Sequence, residues 1–306
     1  MRDASDARLN PVVSFGLAAT AGAAGRVLVN NLSVVKITSQ VGAPAGRMGV
    51  YKTGEAIWRH HGMKGFLRGS AAAAMRSAGY YGINFTVFNQ LSSAYVHKTY
   101  CHGFPDRHTL FMLYTAGAIS GVAATLVTHP LDVIKVRQVV QPVGDPHYGN
   151  AFQGLTKLIE QEGLYRGAYR GYALSVVGSA VYSGYLFALL ECSYCVPWLR
   201  RNKPRLPYLE QFFWCCAAFA GATTAAYPID VVRRKYMAQS YVLPKEGYVD
   251  IRFRNLMQCV KGIYGTNGIF GYFQGLGANL CKAVPQMGAF YLLYFSMLRQ
   301  SKTLAM

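Results

Sequence analysis

The chain is short of acid. It carries 13 Asp and Glu against 31 Lys and Arg, a formal charge of +18. An uninterrupted greasy run of transmembrane length is also missing, so no segment reads at once as a simple membrane anchor. Seven cysteines give no disulfide pattern. Cys215 and Cys216 are adjacent in an apolar run, and Cys192 with Cys195 forms a single C-x-x-C without a second pair at zinc-ligand spacing, so they read as packing residues. No Ser–His–Asp set, paired carboxylates or phosphate loop is apparent, which argues against an enzyme and implies no metal or cofactor. Basic helices, zinc fingers and RNA-binding signatures are likewise missing, which argues against nucleic acid as the partner of the positive charge. The opening residues MRDASDARLNP are expected to be neither a secretory signal nor a transit peptide.

What is present is apolar bulk. The composition is 52% hydrophobic, and the mean hydropathy is positive despite the charge. That combination suits a membrane protein facing anionic lipid or an anionic substrate.

The strongest pattern is a segment that occurs three times. From His129 the chain reads HPLDVIKVR, with Pro130, Asp132, Lys135 and Arg137. Ninety-eight residues later comes YPIDVVRRK, with Pro228, Asp230, Arg233 and Arg234. Ninety-nine residues before Pro130 lies a worn copy, NNLSVVKIT, with Asn31, Ser33 and Lys36. Self-similarity at a fixed period sets the architecture before any local reading. It divides the chain into a tail (1–11) and modules over 12–108, 109–205 and 206–306, the first with the degenerate motif. Six apolar stretches, near 12–38, 71–97, 109–139, 171–198, 208–238 and 276–299, are rich in Gly, Ala, Ser and Tyr. That texture fits membrane helices that pack closely and face a wet interior. Each odd stretch ends in the motif. A polar loop with a short amphipathic helix follows, such as AFQGLTKLIEQEGLYRGAYRG. Each even stretch begins after a glycine step: Leu67-Arg68-Gly69, Tyr169-Arg170-Gly171 and Phe273-Gln274-Gly275.

Three modules of helix, PxDxx[KR], loop helix, glycine step and helix resemble the mitochondrial carrier family over essentially the whole chain. The resemblance implies an all-α membrane protein with six transmembrane helices in a pseudo-threefold barrel and three short loop helices. It further implies a monomeric multi-pass protein of the mitochondrial inner membrane, with one central site that opens alternately to either side. In that family the acid of one motif pairs with the base of the next and closes the matrix side. Carried over, Asp132 pairs with Arg233 and Asp230 with Lys36, while Lys135 meets the uncharged Ser33. Asn31 replaces the kinking proline. The family's second network, at the far ends of the even helices, here has Asn89, Glu191 and Phe295 at acid positions and Ser92, Tyr194 and Leu298 at base positions. Phe88 and Tyr294 keep its aromatic element. Two pairs against none predicts a preference for the state closed on the matrix side.

Ionisable residues deep in membrane stretches are functional candidates. Three are cations: Arg26, Arg76 and Lys282. No acid is expected at their depth, so an anionic substrate is their natural partner. These positions match those where ADP/ATP and coenzyme A-type carriers hold phosphate. Tyr80 is added to the same site. Gly178, Ser179 and Tyr182, in GSAVYSGYLF, resemble the pocket that holds adenine in those carriers: a glycine admits a flat ring and a tyrosine stacks on it. The implied cargo is a nucleotide or coenzyme A derivative. Membrane cardiolipin is the second implied partner, at Gly69, Gly171 and Gly275, where helix N-termini attract phosphate. Glu162 is the remaining acid of the family's Glu-Gly element, with His61 and Asn267 at the other two sites. Two functional readings follow: an exchanger of a phosphorylated adenine-containing anion, or a carrier-fold protein with little or no transport that serves as a membrane scaffold or adaptor.

Overall fold

A computed structural model describes residues 11–41, 50–96, 107–141, 148–195, 208–238, 253, 255–282 and 285–286. Those residues are almost all helical. Repeat one supplies α1 (Pro11–Leu28), α2 (Asn30–Val41), α3 (Val50–Phe66) and α4 (Ser70–Val96). Repeat two supplies α5 (Arg107–Val140), α6 (Ala151–Glu162), a π-helical turn at Leu164–Ala168, and α7 (Tyr172–Cys195). Repeat three supplies α8 (Tyr208–Ala238), α9 (Leu256–Asn267) and a 3₁₀ segment at Gly268–Phe273, after which residues 276–282 are helical again. The rest of the sixth apolar stretch lies outside the described residues, apart from residues 285–286.

Spans within Leu110–Val140, Leu164–Leu190 and Phe213–Ala238 are long and apolar enough to cross a membrane, and the bent pair Pro11–Val27 with Asn30–Val41 supplies another. α4 has 27 residues, about 40 Å of helix, enough to cross as well. The long helices pack in chain order: α1 on α4, α4 on α5, α5 on α7, α7 on α8. Small residues allow this. A Cβ at Gly117 would lie 2.7 Å from Ser183 O and 3.2 Å from Gly184 Cα, so α5 and α7 approach backbone to backbone.

The prolines behave differently from the worn copy. Pro130 and Pro228 sit inside continuous helices of 34 and 31 residues. Proline has no amide to bond the carbonyl four residues earlier. For Pro130 that carbonyl is Leu126 O, and the Tyr169 hydroxyl donates to it at 3.4 Å. The first helix has no proline, yet it breaks between α1 and α2 with a 69° bend. A missing proline therefore does not straighten it.

The ring closes at the motif ends in threefold fashion. A Cβ at Gly69 would sit 3.4 Å from Lys135 O, one at Gly171 4.0 Å from Arg233 O, and one at Gly275 3.7 Å from Lys36 O. Each step glycine thus abuts the carbonyl of the motif base in the next repeat, and the last contact joins repeat three to repeat one. All three have positive φ, +62°, +74° and +80°, a conformation that side-chain-bearing residues adopt only with strain.

Candidate functional site

Where α2, α5 and α8 converge, two carboxylates, from repeats two and three, gather cations from repeats one and three. Asp132 Oδ2 accepts from Arg233 Nη2 at 2.7 Å. Asp230 Oδ2 accepts from Lys36 Nζ at 2.8 Å, and its Oδ1 from Arg234 Nε at 3.0 Å. Both acid-to-base contacts implied by the family resemblance are present, as Asp132 with Arg233 and Asp230 with Lys36. Arg233 also lies 3.7 Å from Asp230, so the two clusters are linked. Lys36 donates a second bond to Asn279 Oδ1 at 2.9 Å, tying α2 to the start of the sixth stretch. These groups are largely dry, with Lys36 at 3% and Asp132 at 3% exposure. Breaking such a pair strands a buried charge, which is far more costly than losing a surface ion pair.

One expectation needs correction. Arg76 does not lack an acid at its depth: its Nε lies 3.0 Å from Asp132 Oδ1. The even helix α4 passes close enough to α5 for Arg76 to reach the motif acid, a contact between helices that no spacing along the chain reveals. The pair is an ion pair without an aligned hydrogen bond. Arg76 also lies over the Tyr80 ring, 5.4 Å from its centroid.

Arg26 and Lys282 are each 5% exposed, and among the described residues neither makes a hydrogen bond or ion pair. Each lies close enough to the other to repel it. Lys135, 1% exposed, is in the same condition and repels both. Three dry cations thus lack an ion pair among the described residues, although the charge of Asp132 reaches Arg26 and Lys135.

The aromatic wall is partly as expected. Tyr80 OH and Ser183 Oγ are 2.9 Å apart, and Asn84 Nδ2 donates to Ser183 Oγ at 3.3 Å. Gln286 Nε2 donates to Tyr81 OH at 3.0 Å. Tyr182 meets Phe219 edge-on at 5.9 Å. Gly178 and Ser179, by contrast, are engaged in helix packing. A Cβ at Gly178 would lie 3.3 Å from Ile229 Cγ2, and Ser179 Oγ donates back to Val176 O at 3.0 Å. A planar ring stacked on Gly178 would require Ile229 to move.

The step residues are also occupied within the chain. Arg68 Nη1 donates to Gln141 O at 2.8 Å, capping the carbonyl end of α5, and Arg170 lies over the Tyr236 ring at 5.1 Å. At the far ends of the even helices, Phe88 stacks on Phe187 with centroids 3.7 Å apart, and Ser92 Oγ donates to Asn89 O at 3.3 Å. The Glu191 and Tyr194 side chains, and Tyr294, Phe295 and Leu298, lie outside the described residues. The same holds for the His61 and Asn267 side chains. Glu162 takes a bidentate bond from Arg137, with both contacts at 2.7 Å, and Arg137 also donates to Tyr148 OH at 3.1 Å.

Sequence reasoning missed a second threefold device. The residue before each proline position bonds a carbonyl next to its own repeat's step glycine. Asn30 Nδ2 donates to Arg68 O at 3.5 Å, and more closely to Phe66 O at 3.0 Å, His129 Nε2 lies 3.1 Å from Arg170 O, and the Tyr227 hydroxyl donates to Gln274 O at 2.9 Å. Tyr227 OH also accepts from Gln40 Nε2 at 2.9 Å. Asn, His and Tyr share no chemistry that a motif search would group. Only their common position, 98–99 residues apart, could have suggested it.

Comparison with known proteins agrees with this geometry. The family model described as mitochondrial carrier protein matches three times, over residues 7–99, 106–194 and 204–303. The chain is 28% identical over 286 residues to solute carrier family 25 member 43 of Danio rerio, covering 94% of this chain and 80% of that one. It is 29% identical over 296 residues to solute carrier family 25 member 16 of Bos taurus, covering 92% and 86%. It is 26% identical over 295 residues to the mitochondrial adenine nucleotide transporter ADNT1 of Arabidopsis thaliana, covering 90% and 82%. Three matched repeats, almost all helical among the described residues and joined by ion pairs between consecutive motifs, place the chain: it belongs to the mitochondrial carrier family, multi-pass transporters of the mitochondrial inner membrane.

Proposed function

We propose that the protein exchanges a phosphorylated adenine-containing anion, such as ADP, ATP or a coenzyme A derivative, by alternating access. The observation that carries this reading is the pair Arg26 and Lys282, each dry, mutually repelling and without a carboxylate. A cation held in a low-dielectric interior needs a counter-charge, and a bound anion supplies it. Arg76, one-fifth exposed and only loosely aligned on Asp132, is free to turn toward the same ligand. Tyr80 and Tyr182 offer the wall for the base, with Ser179 reached once its hydroxyl leaves Val176 O and Gly178 once Ile229 shifts.

In the mechanism, the matrix side is closed by Lys36 with Asp230 and Arg233 with Asp132. Lys135 has no acid in this gate, so opening it disrupts two ion pairs rather than three. Phosphate entering from the open side neutralises Arg26 and Lys282 and competes with Asp132 for Arg76. Loosening that limb weakens the hold on Asp132, so the anion lowers the barrier to opening. Without ligand the gate stays shut, which gives exchange rather than leak. Cardiolipin contacts fit the amide-lined starts of α4, α7 and the helix after Gly275, where dipole and free amides favour phosphate.

The test is exchange in liposomes. Purified protein reconstituted with internal ADP is expected to take up external ATP or coenzyme A and to leave malate and neutral amino acids outside. Uptake of none of the phosphorylated anions, with a thermal shift by ATP retained, would indicate a binding relic of scaffold type. Uptake of malate in preference to nucleotide would overturn the reading.

A further inference from the structure

Lys135 occupies the base position of the second motif, where the family pattern expects it to close the gate against repeat one. The residue at the acid position there is Ser33. Its hydroxyl donates back to Val29 O at 3.0 Å, within its own helical stretch. The other two seams, Arg233 with Asp132 and Lys36 with Asp230, hold complete pairs. Asp132 lies one turn before Lys135, but its two oxygens face Arg233 and Arg76. Lys135 is 1% exposed, and among the described residues its ammonium has neither hydrogen bond nor ion pair.

Of the buried Lys and Arg side chains described, Lys36, Arg137, Arg233 and Arg234 each hold a carboxylate, and Arg170 lies over the Tyr236 ring. Arg26, Lys135 and Lys282 do not. They come from three different repeats. Their charges oppose one another, and Asp132, which also acts on Arg26 and Lys135, makes its ion pairs with Arg76 and Arg233 instead. An isolated ammonium in such a place is strongly disfavoured, yet the fold leaves three together.

We infer that Lys135 is a ligand-binding residue rather than a gate residue, completing with Arg26 and Lys282 a three-point cradle for a polyanionic phosphate chain. This rests on the nucleotide reading above and narrows it to nucleoside di- and triphosphates or comparably charged phosphate esters. A monophosphate leaves one cation of the cradle unmatched. The loss of the acid at Ser33 then has a positive consequence: it frees the third base for cargo.

The experiment measures binding by thermal shift and titration on the purified full chain. The probes are ATP, ADP, AMP, inorganic tripolyphosphate and orthophosphate, and the proteins are wild type, Lys135→Gln, Ser33→Asp and Lys282→Gln. Wild type is expected to bind ATP and tripolyphosphate more tightly than AMP and orthophosphate. Lys135→Gln is expected to weaken ATP about 10- to 100-fold, as for loss of one charge-assisted contact. Ser33→Asp is expected to weaken ATP as well while raising the ligand-free Tm, because the new carboxylate restores the third seam and captures Lys135. Should Lys135→Gln not fold, Ser33→Asp carries the test alone. ATP binding unchanged in Lys135→Gln or Ser33→Asp while Lys282→Gln is weakened overturns the role of Lys135 and leaves the nucleotide reading standing. Equal binding of AMP and ATP by wild type also overturns it. No shift by any probe on wild type overturns the nucleotide reading itself.

Discussion

Replacing Asp132 by Asn tests how the carboxylates hold the repeats together. The side chain keeps its size and loses its charge. Arg233, 2.7 Å away and 10% exposed, is then buried without its closest counter-charge. Arg76, 3.0 Å away, is affected less, because it is 21% exposed and its N–H is not aligned on the oxygen. Removing one partner of a buried pair costs about 3–5 kcal/mol. At about 2 °C of Tm per kcal/mol for a chain of this size, the fall is about 6–10 °C. Arg233→Gln leaves Asp132 with Arg76 and falls less. Arg76→Gln falls least, by about 2 °C or under, as for a partly solvated pair. The double variant Asp132→Asn/Arg233→Gln falls by less than the sum, since no charge of that pair is then stranded. Scanning fluorimetry in one detergent at one protein concentration reads the series. A Tm for Asp132→Asn within about 2 °C of wild type would refute the reasoning, since the pair would then hold about 1 kcal/mol at most. So would Arg76→Gln falling as far as Arg233→Gln.

Two further outcomes follow from the backbone and its tethers. Gly171→Ala places a Cβ at φ +74° and is expected to lower Tm by about 2–4 °C, as for about 1–2 kcal/mol of left-handed strain, whereas Gly16→Ala, with open space around it, is neutral or slightly stabilising by the same fluorimetry. Tyr227→Phe removes a hydroxyl that both accepts from Gln40 and donates to Gln274 O, taking from the buried Gln40 amide its acceptor, and is expected to cost about 1–3 kcal/mol in Tm-derived stability, with no change in the ATP affinity of the folded protein if it acts only as a tether.

Much of the fold was legible because the chain says it three times. Any one P-x-D-x-x-K is weak, but its period fixed the modules, and the family resemblance that the period carries implied the pairs Asp132 with Arg233 and Asp230 with Lys36. The same logic failed where partners are not equivalent positions. Arg76 sits on an even helix and Asp132 on an odd one, so their 3.0 Å contact depends on how α4 and α5 are rotated and staggered. Gly178 read as a platform for a ring because glycine is small. The structure uses that smallness for Ile229 of α8.

The sequence by itself determined the membrane class, the threefold period, the charge excess and the loss of the first motif's acid and proline. Those are properties of residue type and spacing, which survive any arrangement in space. The tertiary structure decided which charges are satisfied. Net charge cannot separate a cation that has found a carboxylate from one that has not, because that depends on distances of a few ångströms between helices far apart in the chain. Arg76, expected to be free, is matched, whereas Lys135, already set against the uncharged Ser33 by the sequence, has no ion pair among the described residues. The scarcity of acid made unmatched cations unavoidable, and packing chose Arg26, Lys135 and Lys282.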